Sequence, residues 1–147
     1  MTQEPAYLFD AEAVSEPLKK RPLPDFLAWL ATVPRERQFA SAVVIGELFA
    51  GAYRQRASAR HLTNIEERVL AAVTVIPYDA AAARVYGRLS AELRDAGAPL
   101  AVSDLQIAAT ALHHDLELVT GNIRHFERVP GLRLCHALAD ARSTPPM

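Results

Sequence analysis

Cysteine is almost missing from this chain of 147 residues: Cys135 stands alone, in the apolar segment GLRLCHAL. One thiol excludes an intrachain disulfide and a thiolate metal cluster, and its surroundings read as those of a buried, inert side chain. Long hydrophobic runs are missing as well. None approaches the roughly 18 residues of a membrane-spanning helix, and the opening MTQEPAYLFD has no basic flank before its short apolar segment. Neither anchor nor secretion signal is expected, which places the chain in the cytoplasm. Net charge is also scarce, at −1, and by itself discourages a nucleic-acid partner. No internal repeat and no linker breaks the chain.

What is present is ordinary globular material. Hydrophobic residues make up 50% and charged residues 22% of the chain, spread along its length, which is neither a disordered nor a fibrous composition. A chain of this size buries one core, so residues 1–147 are read as one domain, with the core over about residues 5–136 and loose termini that include the tail STPPM. The charge is unevenly placed. Residues 19–60 carry Lys19, Lys20, Arg21, Arg35, Arg37, Arg54, Arg56 and Arg60, half of the 16 cationic side chains, against Asp25, Glu36 and Glu47. Such a cluster is either a solvated helix surface or a surface for phosphates, where lysine and arginine displace counterions.

Short β-rich runs at 6–10 (AYLFD), 39–45 (FASAVVI), 73–77 (VTVIP), 116–120 (LELVT) and 132–135 (LRLC) predict five strands. Helical segments lie between them: PDFLAWLATV after Pro24, GELFAGAYRQRA, LTNIEERVLAAV, DAAAARVYGRLSAELRDAG with Gly97 as its stop, and SDLQIAATALHHD. This alternation predicts an α/β domain with a mostly parallel sheet covered on both faces.

In open parallel sheets the functional crevice lies beyond the carboxyl ends of the strands. Asp10 stands there on the first strand, as a helix cap or as a catalytic carboxylate. Glu47 interrupts the most apolar stretch of the chain, SAVVIGELFAGAY, where a dry, unpaired carboxylate is costly; its bland reading is a first-turn acid on a helix dipole. Asp104 follows Ser103, a good N-cap, at the start of the last long helix, and Asn122 follows the fourth strand as a turn residue or as part of a site. Singly these residues say little; together they are four polar groups on the ligand side of one sheet. Three carboxylates in one pocket require a shared proton or a cation, and oxygen-only donors select magnesium or manganese. A divalent ion held by carboxylates suits phosphodiester cleavage, so a metal-dependent nuclease is expected from the residues alone.

These residues also carry a resemblance. From YLFDAEAVSEPL through SAVVIGELFAGAYR and PYDAAAARVYGRL to SDLQIAATALHHDLELVTGNIRHFERVPGLRL, nearly the whole chain resembles the PIN-domain ribonucleases of the VapC type, toxins of bacterial toxin–antitoxin pairs. The last segment is the most specific, because the helix-opening Asp, the apolar helix, the LVT strand and the turn Asn-x-x-x-Phe occur in the family's order. The resemblance implies that Asp10 and Asp104 bind Mg2+, with Mn2+ able to substitute, that Glu47 acts directly or through a water, and that Asn122 fills a position often held by aspartate. It further implies an RNA substrate, a homodimer and a cognate antitoxin whose C-terminal segment lies across the active-site groove.

The chief departure is Glu12, where relatives usually carry Asn or Asp; it either orients a water on the metal or perturbs the site. Arg54 and Arg124 are candidate substrate contacts, Arg54 alternatively a partner of Glu47 or a surface residue. His125 is a candidate general base, and Glu16 is expected to face solvent. Phe26, Trp29 and Leu30 either line a groove for the partner or pack in the core. Two other functions stay open at this point: a catalytically impaired PIN domain that binds RNA or antitoxin without efficient cleavage, and a phosphatase-like nucleophile at FDAEAV. The second lacks the later lysine that would stabilise a phosphoaspartate.

Overall fold

The computed structural model describes residues 4–145. In chain order the first elements are strand β1 (Tyr7–Phe9), helices α1 (Ala11–Ser15) and α2 (Pro24–Leu30), strand β2 (Gln38–Ser41) and helix α3 (Ala42–Arg54). Helix α4 (Ser58–Asn64) runs through a π-helical segment, Ile65–Val69, into α5 (Leu70–Ala72) and strand β3 (Thr74–Ile76). The long helices α6 (Ala80–Asp95) and α7 (Val102–His113) precede β4 (Glu117–Val119), α8 (Ile123–Phe126), β5 (Leu134–Cys135) and α9 (Ala137–Ser143). The strands form one five-stranded sheet in the order β3-β2-β1-β4-β5.

Every pairing in that sheet is parallel. Parallel neighbours require crossover connections, and the helices between the strands supply them while covering the sheet. The central strands are therefore buried on both faces and read as continuous apolar runs: Leu8, Leu118 and Val119 are fully buried. The expected α/β fold is present, with the sheet wholly rather than mostly parallel. The predicted stop of the fourth long helical segment is also present: Gly97 takes φ +70°, and the Ala98 N–H bonds the Leu93 carbonyl at 2.8 Å in a Schellman turn closing α6.

The second strand is shorter than its sequence suggests. It was expected over 39–45, but it ends at Ser41, whose buried hydroxyl accepts the Val44 N–H at 3.2 Å and opens α3. The β-branched Val43, Val44 and Ile45 then lie in the helix, where the cap and the burial of Val44 and Ile45 outweigh their preference for strand. Helix α7 begins two residues earlier than a Ser103 cap predicts. Ala101 occupies its N-cap position and Ser103 lies inside the first turn without capping it.

One surface expectation is overturned, and one open alternative is decided for the core. Glu16 does not face solvent; it is 1% exposed, accepting Lys19 Nζ at 2.9 Å and the Leu23 N–H at 3.1 Å, because α1 turns at that point and carries the side chain beneath the chain that follows. Phe26, Trp29 and Leu30 belong to the core rather than to a groove. Phe26 is fully buried, Leu30 packs on the core, and Trp29 sets its ring 5.1 Å from Tyr7, 6.2 Å from Phe9 and 5.7 Å from Phe26. Helix α9 packs against α2 and buries Leu138 and Ala141, so the core reaches beyond the expected limit at residue 136. Of the expected loose tail, Ser143 closes α9, and the last two residues lie outside the described residues, as do the first three of the chain.

The neighbours Phe26 and Leu27 separate core from surface within one helix turn. Phe26→Ala is expected to destabilise the fold by about 3–5 kcal/mol, as removal of a fully buried aromatic does, whereas Leu27→Ala, at a site 36% exposed, should cost less than about 1 kcal/mol. Urea denaturation of the two variants measures both.

Candidate active site

Strand β1 ends at Phe9, and the backbone N–H of Asp10 makes one more bond across the sheet, to the Val119 carbonyl at 3.1 Å. Asp10 is extended, with φ −74° and ψ 176°, and its Oδ1 accepts the Ala13 N–H at 2.8 Å. It is therefore the N-cap of α1, and it lines the acidic pocket as well. The two readings are not exclusive, since a cap bond uses one of a carboxylate's several acceptor sites.

That pocket is a cavity of about 240 Å³ lined by Asp10, Ala11, Glu12, Glu47, Asp104, Ile107, Asn122 and Phe126. Asp10 comes from the end of β1, Glu47 from α3, Asp104 from the first turn of α7 and Asn122 from the turn after β4. Glu47 lies in the second turn of its helix, not the first, because α3 starts at Ala42. A larger groove of about 450 Å³ passes along Leu18, Lys19, Leu48, Ala52, Arg60 and Ile65, but no carboxylate lines it. The smaller cavity is where the titratable chemistry converges.

The carboxylates there are held in an unfavourable environment. Burial raises the Asp10 carboxyl to about 6, against the opposing pull of hydrogen bonds from the Thr120 hydroxyl and the Ala13 N–H; the charge of Glu12 raises it further and that of Arg142 lowers it. Glu47 is also raised, first by burial and then by the charge of Asp104, with a hydrogen bond from Ser103 working against both. Asp104 has a hydrogen-bonding partner. Its Oδ2 lies 2.8 Å from His125 Nε2, so α8 and α7 are joined across the pocket mouth.

Thr120 ties two of these groups together. It is fully buried, its hydroxyl accepts the Asn122 N–H at 3.0 Å, and the same hydroxyl bonds the Asp10 carboxylate. A hydroxyl has one donor and two acceptor sites, so a single side chain satisfies both contacts. Sequence reasoning passed over Thr120 and Arg142 and took Ser103 only as a helix cap; the available signal for Thr120 was a hydroxyl between a strand end and the turn Gly121-Asn122.

The remaining candidates divide. Glu12 lines the pocket, and its Oε2 pairs with Arg142 Nη2 at 2.7 Å. Arg54 sits at the far end of α3, exposed, and is in no ion pair among the described residues; seven residues, nearly two helix turns, carry it away from Glu47. Arg124 is exposed on α8 and does not line the cavity either. His113 and His114 stack edge to face at the end of α7, away from the pocket lining. Cys135 is half-buried in β5 with its thiol pushed up by burial, which agrees with an inert role.

All the polar donors lining this pocket are oxygen or amide groups, its charged lining residues are all anionic, and a hard cation would offset their charge. Among the described residues, no three histidine, cysteine, aspartate or glutamate side chains are drawn into a preformed metal cage. Magnesium keeps several of its waters and takes one or two carboxylates directly, so the donor set fits a hydrated ion rather than a dry cage.

An acidic pocket at the carboxyl edge of a five-stranded parallel sheet, assembled from the first strand, the helix after the second and the elements around the fourth, is the architecture of a PIN domain. The chain belongs to the PIN-domain family, whose model matches residues 7–132. It is 43% identical over 93 residues to the tRNA(fMet)-specific endonuclease VapC of Shigella flexneri, covering 63% of this chain and 70% of that protein. It is 32% identical over 127 residues to Ribonuclease VapC2 of Haemophilus influenzae, covering 86% of this chain and 94% of the relative. Among solved structures it is similar to DNA-bound VapBC from Salmonella typhimurium, with a TM-score of 0.78 and 28% identity over 90% of this chain and 98% of that one. Among the described residues no helix is long and apolar enough to cross a membrane.

The Asp10 carboxyl has a pH signature. Its folded value of about 6 lies above the ordinary aspartate value of 3.8, so the folded state binds a proton more tightly between those limits, and the stability penalty grows as pH rises through that window. Asp10→Asn keeps a capping oxygen and carries no charge. It should raise stability by about 1–3 kcal/mol at pH 7.5 and make no difference near pH 3.5, as read from denaturant unfolding at the two values.

Proposed function

We propose that this chain is a metal-dependent endoribonuclease, the toxin of a toxin–antitoxin pair, which hydrolyses RNA phosphodiester bonds with a water activated in the acidic pocket. The observation that carries the reading is the convergence of Asp10, Glu47, Asp104 and Asn122, from four separate elements, on one cavity at the strand ends. The names of the matched relatives, ribonuclease and tRNA(fMet)-specific endonuclease, support the choice of RNA, and the solved VapBC complex supports an antitoxin partner. A homodimer is part of the same proposal.

Asp10 and Asp104 would hold the ion, Mg2+ or in its place Mn2+. When bound, it lowers the pKa of an attacking water and offsets the charge that builds on the phosphate. Thr120 and the Ala13 N–H hold the Asp10 carboxylate, which lines the cavity. His125 fixes the Asp104 carboxylate, a positioning task rather than that of a general base, because its Nε2 is engaged with Oδ2. Glu47 is the group fitted to take a proton from water: its carboxylate is made more basic by burial and by Asp104. Asn122 presents an uncharged amide, which lets a phosphate oxygen approach a pocket otherwise lined by anions.

The purified chain should cut RNA in Mg2+ or Mn2+ and stop on addition of EDTA. Asp10→Asn and Asp104→Asn should each lower the rate by about 10²–10³-fold while remaining folded, a loss of the size that follows removal of one charge-stabilising group. End-mapping of RNA after brief expression, with Asp10→Asn as control, reads cleavage and substrate together. Equal fragment yields from wild type and Asp10→Asn would overturn the assignment.

A further inference from the structure

The proposed reaction leaves an electrostatic problem. An RNA strand brings its own negative charge to a cavity whose charged lining residues, Asp10, Glu12, Glu47 and Asp104, are all anionic. No lysine, arginine or histidine is among the lining residues, and the two arginines that the sequence suggested, Arg54 and Arg124, stand away from it. Some cation must meet the phosphates at the rim, since backbone contacts in nucleic-acid sites are made chiefly by arginine and lysine.

Arg142 is placed there by the tertiary structure. Helix α9 is anchored by Leu138 and Ala141, buried against α2, and its last turn returns over the strand ends. The Arg142 guanidinium lies on Gly121, in the turn between Thr120 and Asn122, so closely that a Cβ at residue 121 would collide with it. Its Nη2 bonds Glu12 Oε2 at 2.7 Å, and its side chain is 36% exposed. Among the ion pairs of the described residues, this is the one that joins an arginine or lysine to a pocket-lining carboxylate.

We propose that Arg142 is the substrate-phosphate contact of this site and that Glu12, by holding the Arg142 guanidinium on Gly121, is its positioning residue rather than a metal ligand. The inference rests on the endoribonuclease reading. A guanidinium carries five N–H donors in a rigid fork, and the bond to Glu12 uses one edge, leaving donors for a phosphate oxygen. Held by a carboxylate on one side and by the turn on the other, the fork is fixed before substrate arrives, so little side-chain freedom is lost on binding. The uncommon glutamate then has a reason: its extra methylene lets a residue of α1 reach the end of α9.

Two measurements on the full chain separate this role from a merely structural one. The first is fluorescence anisotropy of end-labelled bulk tRNA in the Asp10→Asn background, over a range of salt. Arg142→Ala should weaken binding about tenfold and reduce the salt slope by about one, Arg142→Lys should recover part of the loss, and Glu12→Gln should weaken binding about threefold or more. The second is Mn2+ binding to the Asp10-intact chain, followed by the loss of the free-ion spin-resonance signal; Glu12→Gln and Arg142→Ala should each stay within about twofold of wild type. Circular dichroism melts monitor folding, and Arg142→Gln replaces the alanine variant if that variant melts early. A drop of tenfold or more in Mn2+ affinity for Glu12→Gln, or unchanged tRNA binding by the Arg142 variants, overturns the inference. If wild type cleaves RNA while those variants bind like their parent, only this inference falls; a wild type that neither cleaves nor binds RNA overturns both readings.

Discussion

The register between β1 and β4 is the constraint on which the rest depends. Leu8 pairs with Leu118 and Phe9 with Val119, so the residues that follow, Asp10 and Thr120, leave the sheet side by side. Side chains alternate faces along a strand, and a slip of one residue between the two strands would turn one of them to the face opposite the other. With the register held, a buried hydroxyl meets a carboxylate at the sheet's edge and also anchors the turn carrying Asn122. Leu8, Leu118 and Val119, all fully buried, pack the paired strands into the core in that register.

Around that edge the molecule gathers like charges and compensates them in part. Two carboxylates about 4 Å apart at an effective dielectric near 20 repel by about 4 kcal/mol, a large fraction of a domain's net stability. Asp10 therefore draws on Thr120 and the Ala13 N–H, Asp104 on His125, and Glu12 on Arg142. Compensation stops short of neutrality, since neither Asp10 nor Glu47 is in an ion pair among the described residues. The residual negative charge is what a cation and a cationic rim are fitted to answer.

Much of the site was legible along the chain. Asp10, Glu47, Asp104 and Asn122 each interrupt an apolar or turn pattern near a strand end, and they do line one cavity. The error over residues 39–45 has a local cause: Val43 to Ile45 carry a strong strand preference, and only the buried Ser41 cap and the packing of α3 decide for helix. Glu16 was misjudged for a different reason. Charge alone suggests solvent, whereas its burial depends on the Leu23 N–H and Lys19 being brought to it by the turn after α1.

By itself the sequence determined the class of fold and the residue types at the strand ends, because period, length and punctuation are properties of neighbours along the chain. Tertiary structure alone decided which polar side chains became partners. Thr120 with Asp10, His125 with Asp104 and Arg142 with Glu12 join residues separated by 110, 21 and 130 positions, and no local pattern encodes such distances. Arg142 is the plainest case: at the end of a short C-terminal helix it resembles any surface cation, and only the packing of α9 on α2 sets it over Gly121 at the mouth of the acidic pocket.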